Sequence, residues 1–196
     1  MQPLRLEFLF PKKYEVKVLD SAPLTHPLEK LHHFPAELEE GDRSGAYLRV
    51  VPQSGPAWAG FFALGFDSDQ VIHTVCSCPD PDSLCAVIGG YAYVVKAANP
   101  SQWLRVEGIP VTTLRAITDL KLLLFAGFTT ITALGPAGLL WTTERLSWDG
   151  ITLAECGGHF LNGFGWDAMT GKEVAFEVDL TTGKHRGGAR PGPASR

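Results

Sequence analysis

Slid against itself by 38 positions, the sequence matches without a gap: "LCAVIGGYAYVVKAANPSQW" (Leu84 to Trp103) falls over "LLLFAGFTTITALGPAGLLW" (Leu122 to Trp141). Leu84 meets Leu122, Gly89 meets Gly127, and Trp103 meets Trp141. A third, shortened copy follows, with Gly165 another 38 residues beyond Gly127 and the turn at Gly171 arriving early. Repetition at this spacing predicts an array of like units rather than one irregular core.

Within each unit the pattern is that of β-structure. A first segment (Val71 to Cys76, Val111 to Ala116, Ile151 to Cys156) leads to a polar or glycine-containing turn. A run rich in strand formers passes through a glycine and reaches a second turn, "AANPSQ", "LGPAG" or "DAMTGK", before a last strand. "VAFEV" alternates with Val174, Phe176 and Val178 on one side, as a half-buried strand does. The expected fold class is all-β, built from antiparallel meanders, either β-propeller-like or an open multi-sheet array.

The N-terminal region adds strands, in "LRLEFLF", "YEVKVL", "GAYLRVV" and "GFFALGF". Between them, "LTHPLEKLHHFPAELEEGD" reads as a short helix or an ordered loop, with Pro27 suited to a first helical turn and Pro35 to a stop. In "LRLEFLF", Leu4, Leu6, Phe8 and Phe10 share one face. That strand is expected to pair with a distant part of the chain, near "EVAFEVDL", and so tie the ends together. Residues 1–188 then form one β-repeat domain, with 1–66 as N-terminal strands and 67–188 as three repeat units. Residues 189–196 are expected to be a flexible tail.

"SCPDPDSLCAVIGGYAYVVKAANPSQW" resembles the middle of a β-propeller blade, in which a Ser-Pro-Asp-type turn precedes an apolar strand, a glycine and a second strand. "WDAMTGKEVAF" and "VDLTTGKHRGG" resemble the Asp-x-x-Thr-Gly-Lys hairpins of WD-type and quinoprotein-type propellers. In such a hairpin the Asp accepts a backbone N–H to start the turn, and Gly171 or Gly183 takes the left-handed position that closes it. His159 and Trp166 are too close together to be the Gly-His and Trp-Asp pairs of one WD repeat, so no true WD repeat is present. Three units are fewer than the roughly four to eight blades of a closed propeller. An added N-terminal blade, an open array and completion by a partner chain all satisfy that count.

Composition narrows function mainly by exclusion. A net charge of −4 and no basic run interleaved with aromatics argue against nucleic acid. The longest apolar run is broken by Lys121, several threonines and Gly135-Pro136, which argues against a membrane span, and the N-terminus carries no secretory pattern. Free thiols and a cytoplasmic location are expected.

"VCSCPDPDSLC" gathers Cys76, Cys78 and Cys85 just after His73. On a strand, Cys76 and Cys78 face one way and His73 the other. A turn centred on Pro81 sets Cys85 opposite Ser77, facing away from both, and the paired knuckles of a structural zinc site are missing. Packing of thiols around a turn is the primary reading, and a metal site at His73, Cys76, Cys78 and Cys85 the alternative. His32 and His33, followed by Glu37, Glu39, Glu40 and Asp42, are a second candidate metal site, yet adjacent histidines on one element cannot share a face. Asp80 and Asp82 suit a turn better than calcium. Cys156 and His159 flank Gly157-Gly158, a hairpin before it is a nucleophile and base. Trp103, Trp141, Trp148 and Trp166 recur near strand ends, where they either fill space between sheets, the primary reading, or form a ligand-binding aromatic surface, the alternative.

No catalytic constellation is found and no cofactor is expected. The reading is a non-catalytic binding or interaction protein built on β-repeats, with a protein or small ligand as its partner and homo-oligomerisation compatible with it. The alternative is a metal-binding protein or metal-dependent enzyme using one of the two clusters.

Overall fold

A computed structural model describes residues 4–23, 29–37 and 44–189. The described residues are all-β, in four sheets of which none closes into a barrel. Among the described residues the one helical element is a 3₁₀ turn at Thr118–Leu120.

Sheet I has the order β2 (Tyr14–Leu19), β4 (Gly45–Pro52), β5 (Trp58–Ala63), β3 (Leu31–Phe34). In sheet II, β1 (Arg5–Glu7) lies at the edge of a meander of β6 (Thr74–Ser77), β7 (Ser83–Ile88), β8 (Tyr91–Lys96) and β9 (Trp103–Arg105). Sheet III is a meander of β10 (Thr113–Ile117), β11 (Leu122–Ala126), β12 (Ile131–Gly135) and β13 (Gly138–Thr142). Sheet IV repeats it with β14 (Ile151–Gly157), β15 (Phe160–Asp167), β16 (Lys172–Asp179) and β17 (His185–Gly187).

Side-chain alternation turns these sheets into a stack. Leu84, Ala86 and Ile88 of β7 face sheet I and pack with Leu48, Val50, Trp58 and Phe62. Their neighbours Cys85 and Val87 face sheet III and meet Leu123 and Phe125. Leu122 and Leu124, on the far side of β11, pack on Leu161, Phe176 and Val178 of sheet IV. Every second residue thus serves a different core, which is why β7 and β11 read as unbroken apolar runs. Two tryptophans join neighbouring sheets by hydrogen bonds: Trp58 Nε1 donates to the Ala97 carbonyl at 2.7 Å and Trp141 Nε1 to the Leu180 carbonyl at 3.1 Å.

The 38-residue match is offset from the structure by one residue between sheets II and III. Leu84 faces the preceding sheet, but Leu122 faces the following one; the residue of β11 that faces the preceding sheet is Leu123. A single-residue slip inverts every side chain of a strand. The hairpins also differ. Ile88 pairs with Tyr91 across Gly89-Gly90, whereas Ala126 pairs with Ile131 across four residues. Trp103 accordingly packs on Phe34 and Tyr93 in the first core, while Trp141 packs in the third. Between sheets III and IV the spacing of 38 does hold, from Leu123 to Leu161 and from Gly127 to Gly165. Both glycines lie where the chain entering the sheet crosses: a Cβ on Gly127 would strike the backbone of Gly108, and one on Gly165 that of Leu146.

Four N- and C-terminal expectations need correction. β1 does pair with a distant strand, but in parallel with β6 (Arg5 opposite Thr74) rather than near "EVAFEVDL". Its apolar residues do not share one buried face, because Leu4 packs in the first core, Phe10 in the second, and Leu6 and Phe8 are exposed. Leu31–Phe34 is a strand, parallel to β5, where a short helix was one of two readings; Pro27 lies outside the described residues. Ala189 is not tail: it is buried, and its N–H donates to the Leu146 carbonyl at 2.9 Å. Residues 190–196 lie outside the described residues.

The two Asp-x-x-Thr-Gly hairpins form by the expected chemistry. Asp167 accepts the Met169 N–H and the Thr170 hydroxyl, and Asp179 accepts the Thr181 N–H and the Thr182 hydroxyl. Gly171 and Gly183 close them at φ of 65° and 71°, where a Cβ would be strained.

Candidate functional site

The cysteine hairpin is held by its turn. Ser83 N–H donates to the Asp80 carbonyl, and the Asp80 carboxylate accepts the Asp82 N–H, the Ser83 hydroxyl and the Lys96 ammonium at 2.6 Å. Burial opposes the Asp80 charge, but those bonds outweigh it and hold the carboxyl below its usual range. The turn is therefore centred between Asp80 and Pro81, and Ser77 pairs with Leu84 while Cys76 pairs with Cys85. This corrects the expected register: all three thiols face sheet III, in the second core.

Burial raises the Cys78 thiol pKa, and the hydrogen bond with Cys76 together with burial raises that of Cys85, so both are poor nucleophiles. His73 lies apart, on the other side of the sheet, where its Nδ1 accepts the Gly89 N–H at 3.3 Å and burial lowers its pKa. His32 and His33 point to opposite faces of β3, one edge-on to Trp58 and the other tilted on Phe61. Glu37 is exposed, and Glu39, Glu40 and Asp42 lie outside the described residues. Among the described residues no three His, Cys, Asp or Glu side chains are grouped closely enough to hold a metal ion.

The surface that stands out is the outward face of sheet IV. On β15, Leu161, Gly163, Gly165 and Asp167 point inward. Gly163 leaves room there for the Phe176 ring, and Gly165 for the entering chain. The alternate residues point to solvent: Phe160 is 45% exposed, Phe164 44% and Trp166 40%. Trp166 thus does not fill space between sheets as expected of it. Across β16, Ala175 lies opposite Phe164, Glu173 opposite Trp166 and Glu177 opposite Asn162. The face is an aromatic row edged by carboxylates, and an exposed apolar patch with a polar rim is the form taken by surfaces that meet other molecules.

At one end this row runs into a cleft of about 590 Å³ between sheets III and IV, lined by Asp149, Thr152, Trp166, Glu173, Phe128 and Gln70 among others. The buried Ser147 hydroxyl accepts the backbone N–H of Trp166 at 2.8 Å and of Asp149 at 3.2 Å, fixing those two residues to each other. No protein-family model and no curated protein matches this chain. The site therefore rests on its own geometry.

A smaller cleft of about 290 Å³ lies between sheets II and III, with Trp103, Leu104 and Leu134 in its wall. Its charged groups, Asp80 and Lys96, already bind each other. The sequence marked Trp166 but not Phe160 or Phe164, although "GFGW" carries part of the signal: Phe164 and Trp166 alternate with Gly163 and Gly165, so there one face is bulky and the other bare.

Proposed function

We propose that this chain is a non-catalytic binding module, built from propeller-like sheet units, which docks a protein partner on the outward face of sheet IV. The observation that carries the reading is the row Phe160, Phe164 and Trp166, each at least 40% exposed on a strand whose other face is core. Interface cores favour such aromatic residues, which offer large contact area at small entropic cost. The buried, pKa-raised thiols and the self-paired Asp80–Lys96 support binding over catalysis. Among the described residues no helix is long and apolar enough to cross a membrane. The proposed setting is the cytoplasm.

The test is affinity capture from host lysate with the wild type and with Phe160→Ser/Phe164→Ser. A partner held by the wild type and lost by the double variant, at unchanged melting temperature, is the expected result. Identical captured proteins from both would refute the docking face.

A further inference from the structure

The cleft at the Trp166 end of the aromatic row adds a second carboxylate, Asp149, to the Glu173 that edges the row. Asp149 and Glu173 bring two carboxylates to one opening, and among the described residues neither takes part in a salt bridge. Trp166 and Phe128 supply aromatic surface to the same space, with Trp166 directly opposite Glu173 in the β15–β16 register. Thr152 and Gln70 add neutral hydrogen-bonding groups. Among the described residues no lysine, arginine or histidine lines the cleft. Arg145, from the connection that precedes sheet IV, is instead stacked over Trp148 at 4.3 Å. Its volume falls within the range of small-ligand sites. The Ser147 hydroxyl fixes Asp149 and Trp166 together before any ligand arrives.

We infer that this cleft is a cation-recognition site, which takes an alkylammonium or guanidinium group between the Asp149 and Glu173 carboxylates with its flat or methylene surface on Trp166. An aromatic face attracts a cation through its quadrupole, and adjacent carboxylates supply the counter-charge and hydrogen-bond acceptors. The source of the cation is a lysine or arginine side chain of the docking partner, whose apolar residues cover Phe160 and Phe164. That assignment of source rests on the docking reading, but the cation site itself does not.

The experiment is a fluorine NMR titration of protein labelled with 5-fluorotryptophan, with the Trp166 signal assigned from Trp166→Phe. The probes are N-acetyl-arginine amide, N-acetyl-lysine amide, tetramethylammonium, the neutral N-acetyl-norleucine amide, and a nine-residue peptide with one central arginine among apolar residues. The expected result is a saturable Trp166 shift with the cationic probes and none with norleucine. Binding should weaken about tenfold in Asp149→Asn/Glu173→Gln, and several-fold when salt rises from about 20 to 300 mM.

Peptide binding at least about tenfold tighter than the capped arginine supports a side chain as the source. Equal binding of tetramethylammonium and peptide overturns that source while keeping the cation site. An equal response to norleucine, or no response to any cation in a variant-competent fold, overturns the site. Phe160→Ser/Phe164→Ser should keep the capped-arginine response while losing partner capture, so failure of the docking face and failure of the cation site give different results.

Discussion

Sheets II and IV are both built on four-strand meanders, yet they meet solvent in opposite ways. In sheet II, β7 is buried at all six positions and β8 at four of six, because neighbours cover both faces. In sheet IV, β15 alternates between exposed and buried along its whole length. The sequences state this difference directly. "SLCAVI" has no outward-facing class of residue, whereas "FLNGFGWD" divides into two sets. A continuous apolar run marks a sheet enclosed on both faces, and alternation marks one with a free face. What is unusual in sheet IV is the set on the free side, where polar residues would be ordinary and three aromatics stand instead.

The comparison can be broken most severely at the covered edge of sheet II. Deleting residues 1–10 removes β1 from β6 and the buried Phe10 ring from the second core, a loss upwards of about 4 kcal/mol. We expect insoluble or partly unfolded protein, read by solubility and circular dichroism; a deletion that melts like the full chain would show that β1 is dispensable. Next, Leu84→Ala in sheet II should cost about 3 kcal/mol in urea unfolding, against within about 0.5 kcal/mol for Phe164→Ser in sheet IV. Comparable losses would mean that the face of sheet IV is structural after all.

Smaller effects sharpen the picture. Asp167→Ala removes a buried turn acceptor from sheet IV and should cost about 2 kcal/mol by the same assay, with hydrogen-exchange protection lost first in β15 and β16. At Asp80 the folded carboxyl pKa lies below its unfolded value, so its contribution is present above the ordinary carboxylate range of about 4 and lost as pH falls through the folded value. The melting temperature of Asp80→Asn should therefore fall less steeply than the wild type's below about pH 4, and parallel curves would remove Asp80 from the account. Tyr14→Phe should be the mildest. Its buried hydroxyl has no hydrogen-bond partner among the described residues, so the change should leave stability unaltered or raise it by up to about 1 kcal/mol, and a clear drop would reveal an acceptor.

Local chemistry was legible in the sequence, and long-range pairing was not. The Asp167 and Asp179 hairpins, the meander order of sheets II to IV and the all-β class follow from turn residues and alternation within short windows. The partner of β1 does not, because nothing in "LRLEFLF" distinguishes β6 from β16. Leu31–Phe34 is a strand only because β5 offers it a parallel edge, and its local pattern admits a helix equally well. The cysteine hairpin lies one residue from the register that Pro81 suggests, because the Asp80 carboxylate sets the centre of the turn. Of the candidate site, Trp166 could be named from sequence, but its exposure depends on sheet IV being last in the stack, a fact of tertiary order.

The two indole hydrogen bonds bear on how the molecule comes apart. Trp58 ties sheet I to the segment after the third strand of sheet II's meander, and Trp141 ties sheet III to the corresponding segment of sheet IV. Sheets I and II are thus latched as one pair and III and IV as another, while the seam between the pairs is the apolar layer holding Cys76, Cys78 and Cys85. A stack coupled only through nearest neighbours yields first at its weakest join. If the two indole bonds set the order of opening, hydrogen-exchange protection should be lost first across the layer that holds the thiols and later across the layers that Trp58 and Trp141 span.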